Sequence, residues 1–186
     1  MLGTDPYVLM DKEAEQVPIG ADKLIYLSHL MGERTPHLDP DARGVFFGLS
    51  AVHGKKEMLR AVIEGVAYSL NDSKNIIGGM GVPVDDMMAC GGGGKSALWR
   101  QMLADLYGCP VKTLASKEGA ALGVAILAMV GAGEYATVPE ACRAIIRTDK
   151  VQQPVPENTE AYGRVYDLYR KLYPALKEHF AALQKI

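Results

Sequence analysis

The sequence predicts an α/β fold with at least a partly parallel sheet, and three observations carry that prediction. Short apolar runs alternate with helical repeats, glycines punctuate the junctions, and "MMAC" (Met87 to Cys90) runs straight into four glycines and a helix. At 186 residues the chain has room for one domain with a real core.

The elements follow in order. "DKLIYLSHL" has a short apolar centre, Leu24 to Leu27, suited to a buried strand. "MGERTPHLDPDARG" is dense in Gly, Pro and Asp and predicts a surface loop carrying Arg34 and His37. "GVFFGL", Gly44 to Leu49, returns to strand character. From Lys55 to Ile77 the apolar residues Met58, Val62, Val66, Leu70 and Ile77 recur at helical spacing, and "GGMGVP" ends that helix. Asp86 to Cys90 reads as a strand, Ser96 to Tyr107 as a helix, and Pro110 to Leu114 as a strand. Glu118 to Val130 reads as a helix rich in small residues, which let a backbone approach a sheet closely, although each glycine costs about 1 kcal/mol relative to alanine. Pro139 to Ile146 is a short helix, residues 152–158 a linker, and Thr159 to Leu183 a long terminal helix. Its stripe of Tyr162, Tyr166, Tyr169, Tyr173, Leu176 and Phe180 predicts a face packed on the domain, with a kink at Pro174. The strands near 24–28, 45–48, 86–90 and 110–114 are expected to share one sheet.

Composition narrows the function classes. A net charge of −2 leaves no electrostatic footprint for nucleic acid or an anionic membrane. The apolar segment Gly119 to Gly133 is too short to span a bilayer. Three cysteines without CxxC spacing suit a reduced cytoplasm, and the four histidines fall in no metal-ligand pattern. The acceptor-like "NDS" at Asn71 lies inside a predicted helix and is discounted.

The chemistry concentrates in "GGGGKS", Gly91 to Ser96. A Walker A loop would place its first glycine at position 89, which is Ala89, and no later apolar strand ends in an aspartate for magnesium. A plain turn needs one or two glycines, whereas four in a row carry an entropic cost that a turn would avoid. Consecutive glycines at a helix mouth instead let a ligand lie on the backbone, where free N–H groups and the helix dipole favour an anion. The ligand-binding candidates are therefore Gly91, Gly92, Gly93, Gly94, Lys95 and Ser96. Lys95 suits either a phosphate or solvent, and Ser96 either the helix cap or a ligand.

Three stretches together resemble a known family: "GERTPHLDPDARGVFFGLSAVHGKKEMLRAVIEGVAYSL", "GGGGKSALWRQMLADLYGCPV" and "EGAALGVAILAMVGAG". They are similar to the C-terminal part of the FGGY carbohydrate kinases, in particular the xylulokinase branch. The second signature of that family is matched by Gly44, Phe46, Gly48 and Leu49, then Glu57 and Met58, then Ala61, Val62, Ile63 and Glu64. The resemblance implies an actin-like ATPase (ribonuclease H-like) domain, the C-terminal part of the second domain of a two-domain sugar kinase. It implies ATP and Mg2+ as cofactors, with the metal held largely outside this chain, and a ketopentose such as xylulose as substrate. Ribulose, gluconate or glycerol remain alternatives, as does a non-catalytic nucleotide-binding or oligomerisation module. In the family the glycine loop lies against the adenosine side of ATP, so Gly91, Gly92 and Gly93 match the backbone that meets the nucleotide and Ser96 the position facing adenine. Lys95 has no fixed counterpart.

The family's general base, phosphate loops and sugar pocket belong to a region upstream of this chain. No catalytic residue is therefore assigned here. Residues 1–186 are expected to form a single domain, incomplete at its N-terminus and inactive alone, that meets sugar only together with the missing region. A cytoplasmic location is expected, no nucleic acid or membrane partner is, and a homodimer through the helices stays open.

Overall fold

Where the sequence suggests one sheet, the described residues build two. The structure, a computed structural model, describes residues 5–116 and 119–186. Strand β1 (Ile25–Leu27) pairs antiparallel with β2 (Val45–Phe47), with Tyr26 opposite Phe46. Strands β3 (Met87–Ala89), β4 (Val111–Leu114) and β5 (Thr148–Gln152) form a separate sheet in that order, β3 and β4 parallel, β4 and β5 antiparallel. The expected single sheet is thus corrected, while its partly parallel character stands. The reason is helix α2 (Lys55–Gly79), which packs on β1 and also on helix α3 (Ala97–Tyr107) and so stands between the sheets.

Local chemistry sets these elements. Helix α2 starts where the Glu57 carboxylate accepts the Gly54 N–H at 2.7 Å, satisfying one of the orphan donors of a helix start. It crosses β1 at Gly65, where an added Cβ would stand 2.1 Å from the Tyr26 carbonyl oxygen, so only glycine fits. Helix α3 is capped by Ser96, whose Oγ accepts the Trp99 N–H at 3.0 Å, and ends at Gly108 with φ of 64°.

Helix α1 (Pro6–Ala14), capped by the Asp5 carboxylate, is an element the sequence reading does not anticipate. Helix α4 (Gly119–Gly131) matches expectation except at Glu118, which lies outside the described residues. Helix α5 (Val138–Ile145) precedes β5, and helix α6 (Pro156–Leu183) closes the chain, continuing through Pro174. Only residues 153–155 separate β5 from α6, a shorter connection than the Pro-rich composition suggests.

The main core lies between α2, α3 and α6. The Tyr162, Tyr166, Tyr169, Tyr173 and Phe180 stripe is buried there against Tyr68, Met102 and Leu103. Beside it Glu64, 1% exposed, accepts hydrogen bonds from Arg60 Nε (2.7 Å), Tyr68 and the Gly20 N–H. Arg60 also donates to the Tyr162 hydroxyl at 2.7 Å and to the Ala14 carbonyl. Burial pushes the Glu64 carboxyl up against the opposing pull of Arg60. The pair is fully hydrogen-bonded, which is the condition for burying charge at tolerable cost.

Candidate functional site

The glycine turn stands at the carboxyl ends of the parallel strands β3 and β4, the edge where open α/β sheets place their ligands. A cavity of about 720 Å3 opens there. Gly91, Gly92, Gly94 and Lys95 line it from the turn, Leu114 to Ser116 from the end of β4, and Asp149 and Lys150 from β5.

Each glycine has its own geometry. Gly91 has φ of 73°, in the left-handed region, and Gly92 follows at φ −60°, ψ −44°. Successive residues of opposite hand turn their N–H groups to one side and form an anion-accepting concavity. The N–H groups of Lys95 and Ser96 are used within the turn, bonded to the carbonyls of Gly92 and Gly93. Those of Gly91 to Gly94 have no acceptor among the described residues. A Cβ on Gly94 would lie 2.8 Å from the Ala89 carbonyl oxygen, and one on Gly93 3.3 Å from the Trp99 indole nitrogen. At Gly92 it would meet nothing within 4 Å. Gly91 and Gly94 are therefore required by the fold, whereas Gly92 has open space above it.

The structure thus brings Gly91, Gly92, Gly94 and Lys95 onto one cavity wall. Gly93 faces Trp99, and Ser96 is engaged as the α3 cap, its hydroxyl proton still available to a ligand. Sequence reasoning missed Arg100, Asp149 and Lys150. Arg100, 3% exposed, donates to the carbonyls of Gly94 (2.7 Å) and Lys95 (3.0 Å) and to Gln152 (2.8 Å). A signal for it existed: position 100 lies one helical turn beyond the Ser96 cap, and helical side chains lean back toward the N-terminus. Asp149 and Lys150 come from a polar strand that gave no signal. The described wall carries Lys95, Arg100 and Lys150 against the single carboxylate of Asp149, a balance that favours an anionic ligand.

The FGGY family of carbohydrate kinases, C-terminal domain, matches residues 4–132. The chain belongs to this family. The xylulose kinase of Staphylococcus epidermidis is 40% identical over 168 residues, covering 90% of this chain and 34% of that protein. The ligand-bound xylulose kinase structure from Lactobacillus acidophilus superimposes with a TM-score of 0.86 at 33% identity, covering 94% of this chain and 35% of that one. The gluconate kinase structure from the same organism gives the same TM-score, identity and coverage. The chain therefore has the fold of the FGGY C-terminal domain and spans about a third of the length of the kinases it matches. Helices α5 and α6 and strand β5 lie beyond the matched span, so part of the cavity wall does too.

Away from this cavity, the "GERTPH" loop is ordered. The backbone of Glu33 and Asp39 pairs in both directions, the Tyr173 hydroxyl donates to Asp39 at 2.8 Å, and the His37 ring stacks on Tyr173 with centroids 3.7 Å apart. His37 borders a second cavity, of about 430 Å3, while Arg34 is exposed. Burial lowers the His37 pKa below the usual histidine value. Among the described residues no helix is long and apolar enough to cross a membrane.

Proposed function

We propose that this chain is the nucleotide-binding C-terminal portion of an ATP-dependent sugar kinase that phosphorylates a ketopentose, xylulose above all, and that its glycine turn receives the adenosine side of ATP. One observation carries the reading: Gly91, Gly92 and Gly94 line a cavity at the carboxyl ends of β3 and β4, and their amides have no acceptor among the described residues. The residues suit a nucleotide, because Gly92 leaves the backbone bare and the wall is cationic. Gly91 to Gly94 would hold the ribose side on their backbone, Ser96 would donate its hydroxyl proton to the base, and Lys95 would answer phosphate charge. Bound ATP supplies the phosphoryl group. Magnesium asks for oxygen ligands, and Asp149 is the single carboxylate of the described wall, so most of its coordination would fall to phosphates and to residues outside this chain.

Gluconate as substrate is favoured as the second reading by the equal likeness to the gluconate kinase structure. The choice depends on sugar-contacting residues that the family carries upstream. The proposed setting is the cytoplasm.

Titrating ATP into the chain and following the loop amides by NMR tests the assignment. Wild type should shift at millimolar ATP, because the phosphate contacts of a complete cleft are absent and each charge-assisted bond lost costs about 1.5–3 kcal/mol. Gly92→Val should keep the fold and lose those shifts. Identical shifts in both proteins would reduce the glycines to a turn. The purified chain should also show no turnover of xylulose; turnover free of host kinase would overturn the assignment of the general base to the upstream region.

A further inference from the structure

We infer that Arg100 is the positioning residue of the glycine turn, and that it ties the shape of that turn to β5 and the start of α6. The inference rests on the nucleotide reading only for its ligand-binding arm. Arg100 lies under the turn with its guanidinium almost wholly buried, and all of its recorded hydrogen bonds go to neutral acceptors: the Gly94 and Lys95 carbonyls and the Gln152 amide oxygen. No carboxylate pairs with it among the described residues. A buried cation needs strong compensation, and here the compensation is the pair of turn carbonyls held toward it. Those two carbonyls belong to the Gly94–Lys95 and Lys95–Ser96 peptide planes, so Arg100 holds the Lys95 and Ser96 N–H groups on the Gly92 and Gly93 carbonyls and closes the turn that carries Gly91 and Gly92 at the cavity.

The other end of the tie is as well defined. Neighbouring residues of α3 hold the chain just after Gln152: Gln101 donates to the Gln153 carbonyl at 2.8 Å, and Asp105 accepts from the Val155 N–H and the Asn158 side chain, both at 2.8 Å. Helix α3 is thus a rail joining the glycine turn to the entry of α6. Four glycines have little intrinsic preference for one shape, so the order of the turn comes from this rail.

The test compares the wild-type chain with Arg100→Lys, Arg100→Gln and Gln152→Ala by NMR relaxation of the Gly91 to Gly94 amides without nucleotide, then by ATP titration. In wild type the loop amides should be rigid, with order parameters near 0.85, and in Arg100→Gln they should fall below about 0.6. ATP binding in Arg100→Gln should weaken about tenfold or more, the loss of at least one charge-assisted bond. Arg100→Lys, able to serve one carbonyl, should recover part of the order, and Gln152→Ala should show a smaller loss confined to the turn. Should Arg100→Gln fail to fold, the Lys and Gln152→Ala variants decide the matter. A rigid loop in folded Arg100→Gln would overturn the inference. So would loosening spread evenly through β3, β4 and α3, which would make Arg100 a general brace. Loosening confined to the turn, with no ATP response even in wild type, would uphold the positioning role and sink the nucleotide reading instead.

Discussion

Two mid-helix glycines of this protein, Gly65 of α2 and Gly123 of α4, do opposite things. At Gly65 of α2 the backbone of β1 presses so close that a methyl group would overlap the Tyr26 carbonyl. At Gly123 of α4 an added Cβ would meet nothing within 4 Å. The same contrast holds for the helices as wholes. Helix α2 buries Ala61, Glu64, Gly65, Ala67 and Tyr68 among others, whereas α4, the more apolar helix, buries only Ile126 and leaves Val124 68% and Leu127 59% exposed. Small residues along a helix are useful when something lies against them. On α2 that partner is present in the chain. Among the described residues α4 packs on α5 while Gly123, Val124 and Leu127 stay uncovered, which fits our proposal that the remainder of a larger kinase covers this side. The face of α2 that meets β1 has its partner in the chain, and on our proposal the face around α4 and the glycine turn is completed from outside it.

The largest expected effect breaks the packed face. Gly65→Ala places a methyl group 2.1 Å from a backbone oxygen that no side-chain rotation can relieve, so β1 and α2 must separate. We expect a loss above about 4 kcal/mol, the exceptional range for a single substitution. Urea unfolding of the chain measures it. A change within about 0.5 kcal/mol, ordinary for an uncrowded site, would remove the distinction between the two helices.

Glu64→Ala should come next. It leaves the Arg60 guanidinium buried with only Tyr162 and the Ala14 carbonyl as partners, and strands the Gly20 N–H. Breaking one side of a buried ion pair costs about 3 kcal/mol or more. The same urea measurement checks it. A loss below about 1 kcal/mol, typical of exposed pairs, would mean that water reaches the site.

Gly123→Ala should have the opposite sign. With no neighbour to strike, it removes the helix penalty of glycine and should stabilise the chain by up to about 1 kcal/mol. Destabilisation in this chain would show that α4 is already packed against something, and the contrast with α2 would fail.

How much of this was legible in the sequence follows the same division. The α6 stripe could be read because it packs on partners within the chain, so apolar periodicity and burial coincide. On α2 the helix was legible but its face was not: Met58, Val66, Leu70 and Ile77 of the apolar stripe are exposed, and the buried face carries Arg60, Ala61, Glu64, Gly65, Ala67 and Tyr68. The glycine turn was legible because its residues are unusual. Strand β5 was not: it is an edge strand, exposed at every position but Gln152, and carries no alternation to find. The split into two sheets was equally hidden, since three-residue strands hold no register information and the separation depends on where α2 lies. Arg100 drew no assignment within "ALWRQML", because its burial depends on carbonyls that only the folded turn presents.

The smallest expected effect concerns the "GERTPH" loop, which packs on α6 although its composition suggests a solvated segment. Asp39 accepts a hydrogen bond from the Tyr173 hydroxyl and another from the Asp41 N–H, and these hold its carboxyl below the ordinary aspartate value. A carboxyl with a lowered folded pKa contributes its stability above the unfolded value, about 3.9 for aspartate, and loses it as the pH falls through the lowered one. The loop should therefore stay clasped at pH 5 and release only below about pH 4. The Tyr173 ring resonances, sensitive to the His37 ring stacked on them, report that release directly. In Asp39→Asn the acid step should disappear, while Tyr173 near neutral pH shifts part of the way toward its released position. An unchanged acid step in Asp39→Asn would assign the transition to another carboxylate, and the loop would be held by the His37 stack, the Glu33–Asp39 backbone pair and the contact of Glu33 with His29.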